Sequence, residues 1–567
     1  MRFEEMPYNR PDKDKMFLEL DEICKEFEGA KTAKEQIDAV MKLEKLTNSF
    51  ETMSTLASIR HTINTKDELY DQENDFFNDV TPLVEDKLNQ FNKIAVKTKF
   101  RKELSEKFGE IWFTNMEIAL KAFDSSLIPL MQEENKLQDE YQKLYASAKI
   151  DFDGKELTLP QMTLYMQSAD RETRKRAYIA QGAFFDEHQN EFDEIYDKLI
   201  KNRTKQAKML GFESFVPLGY LRNTRNCYDA KDVASFRKQV VSDIVPIVCD
   251  IKKEQAKRIG VEGDLKFYDD TFMFPTGNAS PKGTPEEILE AGRKMYEELS
   301  PETSSFIKMM FDMNLFDVKS KDGKAPGGYC TYLPDYHCPF IFSNFNKTAG
   351  DVDVLTHEAG HAFAADLASK QVPLNQFIFP TSDGAEVASM AMEFLTAPYH
   401  ELFFKEETPK YELGHAEDAV IFLPYGCQVD HFQHLVYENP DWTPEERNKA
   451  WAELDKIYRP YIDYEDLPFY SRGAGWQRQL HIYLYPFYYI DYCLAQTMAL
   501  QIWTMSLEDR QRAWETYLKF VSQGGTKTFV GLVKSSGLLS PLENGSLKEA
   551  CRAVRAWLEG KWAEEIR

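Results

Sequence analysis

The spacing of apolar and polar positions changes character several times along the chain. Through roughly the first 145 residues, apolar side chains recur every three or four positions. Leu20, Ile23, Cys24 and Phe27 form one such set, and Val40, Leu43, Leu46 and Phe50 another within residues 33–50. That period puts them on one helix face and predicts long amphipathic helices. Thr81 before Pro82 reads as an N-cap followed by proline at the first helical position. Residues 82–147 are poor in Gly and Pro and rich in Glu, Lys, Leu and Gln, which predicts two or three long helices. In residues 150–159, alternating apolar positions flank Asp153-Gly154, a hairpin signal. Helices resume at Ser168. Residues 202–211 and Pro217-Leu218-Gly219 read as punctuation, and a boundary is placed near residue 200. It separates an N-terminal helical lobe, 1–200, from a second lobe, 201–567.

Residues 264–346 lose the helical period. Phe267 to Pro275 is aromatic, Asp322-Gly323 and Pro326-Gly327-Gly328 are turn signals, and Cys338 to Phe345 is a short apolar run. A small twisted sheet is expected there. Helical texture returns after residue 350 and lasts to Arg567, with no internal repeat or low-complexity tract. The fold class expected is mainly α.

Composition narrows the function. With 39 Phe and 28 Tyr the chain is too aromatic for disorder. Its formal charge, 69 − 93 = −24, repels phosphate backbones and anionic lipid, which argues against nucleic-acid and membrane-surface partners. The eight Cys are scattered, with no C-x-x-C pair, so reduced thiols fit better than a disulfide framework or a Cys-ligated zinc. The N-terminus carries acidic residues and no apolar signal region, and no run of about 18 apolar residues occurs. A cytoplasmic location is the expectation.

Residues 355–366 read L-T-H-E-A-G-H-A-F-A-A-D. On a helix, His357 and His361 lie one turn apart on the same face and can present two imidazole nitrogens to one ion. Glu358 is offset around the helix, beside such an ion, where it can take a proton from a bound water. With 10 His and 93 acidic residues, chance would supply roughly 0.03 such H-[DE]-x-x-H matches. Asp351 and Asp353 are the N-cap candidates for this helix. An open catalytic zinc site needs a third protein ligand. Residues 382–395, S-D-G-A-E-V-A-S-M-A-M-E-F-L, predict a second helix capped by Ser382 or Asp383. Glu386 in its first turn is the better ligand candidate, and Glu393 or Ser389 could hydrogen-bond a ligand imidazole. One zinc ion is expected on His357, His361 and Glu386, although spacing alone also admits cobalt or manganese.

The H-E-A-G-H motif, the E-V-A-S-M-A-M-E segment 25 residues on and a His/Tyr-rich stretch near residue 481 together resemble the oligoendopeptidase F group of thimet-oligopeptidase-like zinc metallopeptidases. The likeness covers roughly residues 200–560, so the second lobe would be catalytic. It implies a mostly helical, ellipsoidal protein with a deep central channel, zinc on the channel floor and the small sheet near the zinc helix. It also implies endoproteolytic cutting of short unstructured peptides. Residues 471–492, S-R-G-A-G-W-Q-R-Q-L-H-I-Y-L-Y-P-F-Y-Y-I-D-Y, match the family's Gly-containing loop and following helix. Hydroxyl and imidazole donors there would face the oxyanion of peptide hydrolysis. The match places these roles on His481, Tyr485, Tyr489 and Tyr492. The segment is about one residue shorter than the family pattern and carries Pro486 in the loop, so Tyr488 could stand in for Tyr489.

Gly328 and Tyr329, with the strand near Phe340 to Asn344, precede the zinc helix. They could pair with a substrate backbone as an edge strand or form an ordinary hairpin. His337, His400, His431 and His434 share no ligand spacing with the motif and read as structural. The resulting expectation is a zinc endopeptidase with Glu358 as general base and His481 and Tyr489 as oxyanion donors; the alternative is a zinc carboxypeptidase trimming peptide C-termini.

Overall fold

The computed structural model describes residues 1–263, 265–321 and 323–566. It is mainly α, with one two-stranded hairpin and one three-stranded sheet. Among the described residues no helix is long and apolar enough to cross a membrane. The chain forms two compact units. The first comprises Met1–Ser125, Ser280–Lys405 and Gln501–Leu538, the second Ser126–Ala279, Glu406–Leu500 and Leu539–Arg567. Residue 200, where a lobe boundary was expected, falls inside the helix Gln189–Met209 of the second unit.

The first unit opens with α1 (Lys13–Gly29), α2 (Ala33–Ile63) and α3 (Glu68–Ala95). The side chains of Asp12, Thr32 and Asp67 cap them by accepting backbone N–H groups left unpaired in the first turns. Leu20, Ile23, Phe27, Val40 and Phe50 are buried, as their helical spacing predicts. Pro82 does not start a helix: it lies inside α3, which Asp67 begins fifteen residues earlier. Proline forfeits one backbone hydrogen bond, but Phe77, Val80 and Val84 are buried on either side of it and carry the helix through. Burying each such side chain contributes about 1.5–3 kcal/mol.

Strands β3 (Phe316–Lys319), β4 (Tyr329–Leu333) and β5 (Cys338–Phe345) form the expected sheet in the order β3-β5-β4. The apolar run of β5 suits its central place, buried almost throughout. β4 pairs antiparallel to it, from Tyr329↔Phe342 to Leu333↔Cys338, and forms one edge. Gly327 takes a left-handed φ of 92° in the expected turn before β4. Asp264 and Asp322, at the start of the non-helical stretch and in its first turn signal, lie outside the described residues. The stretch also contains two helices the texture hid, Pro285–Leu299 and Pro301–Asp312. Thr284-Pro285 and Ser300-Pro301 start them, each as a hydroxyl cap followed by proline.

In the second unit, β1 (Ile150–Phe152) and β2 (Lys155–Leu157) form the expected hairpin, with Asp153 and Gly154 both at positive φ. The helix Gln189–Met209 continues through residues 202–209, where punctuation was expected. Asn202, Arg203 and Gln206 look like loop residues in sequence but are buried and satisfied. Asn202 donates to Leu130 O, Arg203 pairs with Glu134 at 2.6 Å, and Gln206 donates to Glu134 at 2.8 Å. Pro217 and Gly219 likewise sit in a helix, Phe215–Arg222, with Pro217 in its first turn where no partner is needed.

Candidate active site

The helix bearing the H-E-A-G-H motif runs Gly350–Ser369 and packs on β4, β5 and the helix Ser382–Leu395. Neither Asp351 nor Asp353 is its N-cap. Asp351 instead accepts the backbone N–H groups of Asn346 and Lys347 at 2.7 and 2.8 Å, pinning the turn that feeds the helix. The helix Ser382–Leu395 has Thr381 as its N-cap residue, and Asp383 accepts from Gly384 N at 2.7 Å. Gly360 lets the two helices touch. A Cβ on it would stand 2.7 Å from Ser389 Cα and 2.8 Å from Ala388 O, so only glycine fits the crossing.

That crossing brings three side chains together. Glu386 Oε2 lies 3.3 Å from His357 Nε2 and 3.4 Å from His361 Nε2. All three donor atoms fall within 4.8 Å of one another. Two donors each 2.0–2.1 Å from one ion at a tetrahedral angle stand roughly 3.3–3.4 Å apart. The two separations from Glu386 and the N, N, O donor set therefore fit zinc, which takes three protein ligands in an open catalytic site.

The surroundings orient these donors. His357 Nδ1 lies 2.7 Å from Glu393 Oε1, and Ser389 Oγ donates to Glu386 Oε2 at 3.2 Å. Burial works against a charged His357, but hydrogen bonds to Glu386 and Glu393 overcome it and raise its pKa well above the ordinary value. Burial would likewise raise Glu386, yet the imidazoles of His361 and His357 hold it below the usual carboxylate range. Glu358 is buried, and its carboxylate takes no hydrogen bond from the protein among the described residues. Burial pushes its pKa up, and the two histidines only partly offset that rise.

Gly328 adjoins Glu358: a Cβ there would lie 3.7 Å from Glu358 Oε1 and 3.4 Å from Phe342 O. Tyr329 next to it stacks on Phe342 at 4.8 Å, and its hydroxyl is 2.6 Å from that of Thr62.

The His/Tyr-rich segment belongs to the second unit and is held rigidly there. Gln138 donates to Leu484 O at 2.8 Å, Arg203 to Tyr483 O at 2.5 Å and Asn223 to Pro486 O at 3.1 Å. Gln433 accepts Phe487 N at 3.0 Å, which steadies Phe487 at its positive φ. Gly219 leaves room for the Phe487 ring, which a Cβ would meet at 2.5 Å. The Arg225–Asp491 ion pair, 2.8 Å and buried, locks the first turn of the helix Tyr489–Glu508.

On this frame the His481 ring lies 4.9 Å from that of Tyr489 and 5.7 Å from that of Tyr492. Tyr492 Oη and His481 Nε2 are 3.5 Å apart. Tyr489 is buried, which pushes its phenol pKa well up and keeps it protonated as a donor. Tyr488 is half-buried and Tyr485 exposed. Two residues of this cluster escaped the sequence. Gln479 Nε2 lies 2.9 Å from His481 Nδ1, and Tyr425 donates its hydroxyl to Gln479 Oε1 at 2.7 Å. Neither carries a motif; Tyr425 comes from a helix more than fifty residues away, Thr408–Glu438. Of the remaining histidines, His337 occupies a left-handed turn and His400 is buried. His431 and His434 lie 3.0 Å from the hydroxyls of Tyr458 and Tyr220.

Two family models match the chain: the Peptidase M3 N-terminal domain over residues 3–123 and Peptidase family M3 over residues 164–550. Among curated relatives, an oligoendopeptidase F homolog of Borreliella burgdorferi is 23% identical over 426 residues, 70% of this chain and 69% of that protein. Oligopeptidase PepF of Bacillus subtilis is 22% identical over 480 residues, 81% and 68% of the two chains. Among solved structures, PZ peptidase A with an inhibitor superimposes at a TM-score of 0.95 with 47% identity, covering 99% of both chains. Oligoendopeptidase F from Enterococcus faecium shares the fold at a TM-score of 0.62 with 16% identity, covering 97% of this chain and 98% of that one.

Proposed function

The chain belongs to peptidase family M3, and from that premise we propose that it is a zinc-dependent endopeptidase hydrolysing internal bonds of short unstructured oligopeptides. The convergence of His357, His361 and Glu386 at zinc-ligand separations carries this reading. A zinc ion held by these three side chains would polarise a scissile carbonyl and bring the pKa of a water towards neutrality.

The remaining work falls to the chain's own residues. Glu358, buried and with no protein hydrogen bond among the described residues, takes the proton of the attacking water and delivers it to the leaving amine nitrogen. Its raised pKa suits a group that must both accept and release a proton. Gly328, where a Cβ would crowd Val354 Cγ1 at 3.1 Å and stand 3.7 Å from Glu358 Oε1, keeps side-chain bulk off Glu358 at the head of β4, the edge strand that would pair with a substrate backbone. The Tyr489 hydroxyl and the His481 imidazole supply donors for the oxyanion, and Tyr485 and Tyr492 line the bound peptide. The eight cysteines form no disulfide among the described residues, which fits a reducing compartment, and the working location proposed is the cytoplasm.

A peptide blocked at both ends and internally quenched tests the proposal. The purified protein should cut it internally, lose activity to a chelator and regain it with zinc. Release of only C-terminal residues from unblocked peptides, with the blocked one intact, would favour a carboxypeptidase.

A further inference from the structure

The segment that carries His481 also carries a cation that the proposed mechanism does not use. Arg478 is half-buried, three residues before His481 and adjacent to Gln479. Its guanidinium carbon lies 5.5 Å from the centre of the Tyr470 ring and 5.7 Å from that of Phe267. Among the described residues no carboxylate pairs with it, and its buried Nε has no hydrogen-bond partner.

Several arginines of this unit with well-buried guanidinium groups contrast with it. Arg203 pairs with Glu134, Arg225 with Asp491, Arg237 with Asp430 and Arg258 with Glu417. A buried Nε without a partner is costly, since that donor loses water and gains nothing in exchange, while the terminal N–H groups of this half-buried side chain have no carboxylate to meet among the described residues. Aromatic faces hold the cation in place but do not satisfy its in-plane donors.

The groups around it suit a ligand. The charges that bear on Arg478 come from the tyrosines Tyr470, Tyr425 and Tyr178, and the next is the like charge of Arg459. Tyr145, which feels the Arg478 charge, is half-buried, and its hydroxyl makes no hydrogen bond among the described residues. Tyr425 links Arg478's neighbourhood to the oxyanion candidates: it donates to Gln479, which orients His481, and its ring meets that of Tyr489 edge-on at 5.9 Å.

We infer that Arg478 is a specificity residue that receives a carboxylate of the peptide substrate, bidentate through its planar fork, with the Tyr145 hydroxyl as a further donor. The inference rests on the peptidase reading above. The carboxylate is either the free C-terminus or an acidic side chain, the same chemistry from two sources.

The test uses the zinc-loaded full chain and matched peptides. One pair differs only as C-terminal acid against amide. A second pair is amidated and differs as Glu against Gln on the C-terminal side of the cut. The wild type should favour the carboxylate member of at least one pair by about tenfold or more in kcat/KM, the range of a charge-assisted hydrogen bond, while still cutting the other member. Whichever pair discriminates identifies the source. R478Q should bring the ratio near one, with the rate on the uncharged member retained. R478K keeps a cation over the rings and loses the fork; it should fold where R478Q does not and keep only part of the preference. Equal rates on both pairs in the wild type, or a preference unchanged in R478K and R478Q, would overturn the inference. Cleavage of neither member is a different result and would sink the peptidase reading itself.

Discussion

Glu393 Oε1 stands 2.7 Å from Nδ1 of His357, two helical turns beyond Glu386 on the same helix. A proton shared at Nδ1 leaves the Nε2 lone pair aimed at Glu386 and His361, so one carboxylate fixes both the tautomer and the ring angle. Glu393→Ala should weaken zinc binding by about 10–100-fold, read by competition with a chromogenic chelator. Glu393→Gln, whose amide oxygen can still accept from Nδ1–H, should lose less. Equal zinc affinity in Glu393→Ala and wild type would remove Glu393 from the site.

Glu358→Gln separates chemistry from metal binding. The amide is isosteric, and Glu358 is not among the three converging donors, so zinc content should match wild type. Turnover of a blocked peptide should fall by at least about 10²-fold, because an amide cannot accept the proton. Rapid residual cleavage by a zinc-loaded variant would rule out Glu358 as the base.

Gly360→Ala tests the helix crossing. Its new methyl would press on backbone atoms of Ala388 and Ser389, which cannot rotate away. The helices must part, at a cost of about 1–3 kcal/mol for overpacking, and the separation moves Glu386 from the histidines. A lowered melting temperature together with weakened zinc binding is expected. An unchanged zinc affinity would mean that the crossing does not set the site.

The sequence reveals this site because its parts are local. His357 and His361 are related by helical period alone, and Glu386 sits near the start, just past the first turn, of a helix whose bounds the pattern recovers. The reason for Gly360, directly before His361, is invisible in the chain because it depends on the backbone of a helix 28 residues away. Gln479 and Tyr425 are illegible for the same reason, since polar side chains without a motif acquire meaning only from tertiary contacts. The errors in the helices share one cause. Pro82, Asn202 and Pro217 have the local preferences of breakers, and burial of their neighbours overrides those preferences.

Tyr489→Phe and Tyr488→Phe together decide which tyrosine serves the oxyanion. Tyr489 packs its ring against His481 and is buried, whereas Tyr488 lies 6.0 Å from the same ring and is half-buried. Loss of a single oxyanion donor costs about 10²–10³ in turnover. Tyr489→Phe should show that loss in kcat with zinc retained, and Tyr488→Phe should stay within a few-fold of wild type. The reverse ranking in steady-state kinetics would transfer the role to Tyr488.

The pH dependence of stability should report His434 in the second unit. Burial pushes its pKa down to about 4; Arg237 and Arg225 reinforce the shift, and Asp430 opposes it. Folding therefore favours the neutral ring, while the unfolded chain titrates near the ordinary 6.5. Between those values the unfolded state binds the extra proton, so stability is full above pH 6.5 and is lost as pH falls towards 4. At pH 5 the loss from this one residue is about 2 kcal/mol. His431, also pushed down to about 4 by burial, adds to the same slope. His434→Gln keeps a hydrogen-bonding group for Tyr220, 3.0 Å from Nε2, and removes the titration. Its melting temperature should fall less than that of wild type between pH 7.5 and pH 5. Parallel pH curves for the two proteins would show that His434 does not bind its proton on unfolding.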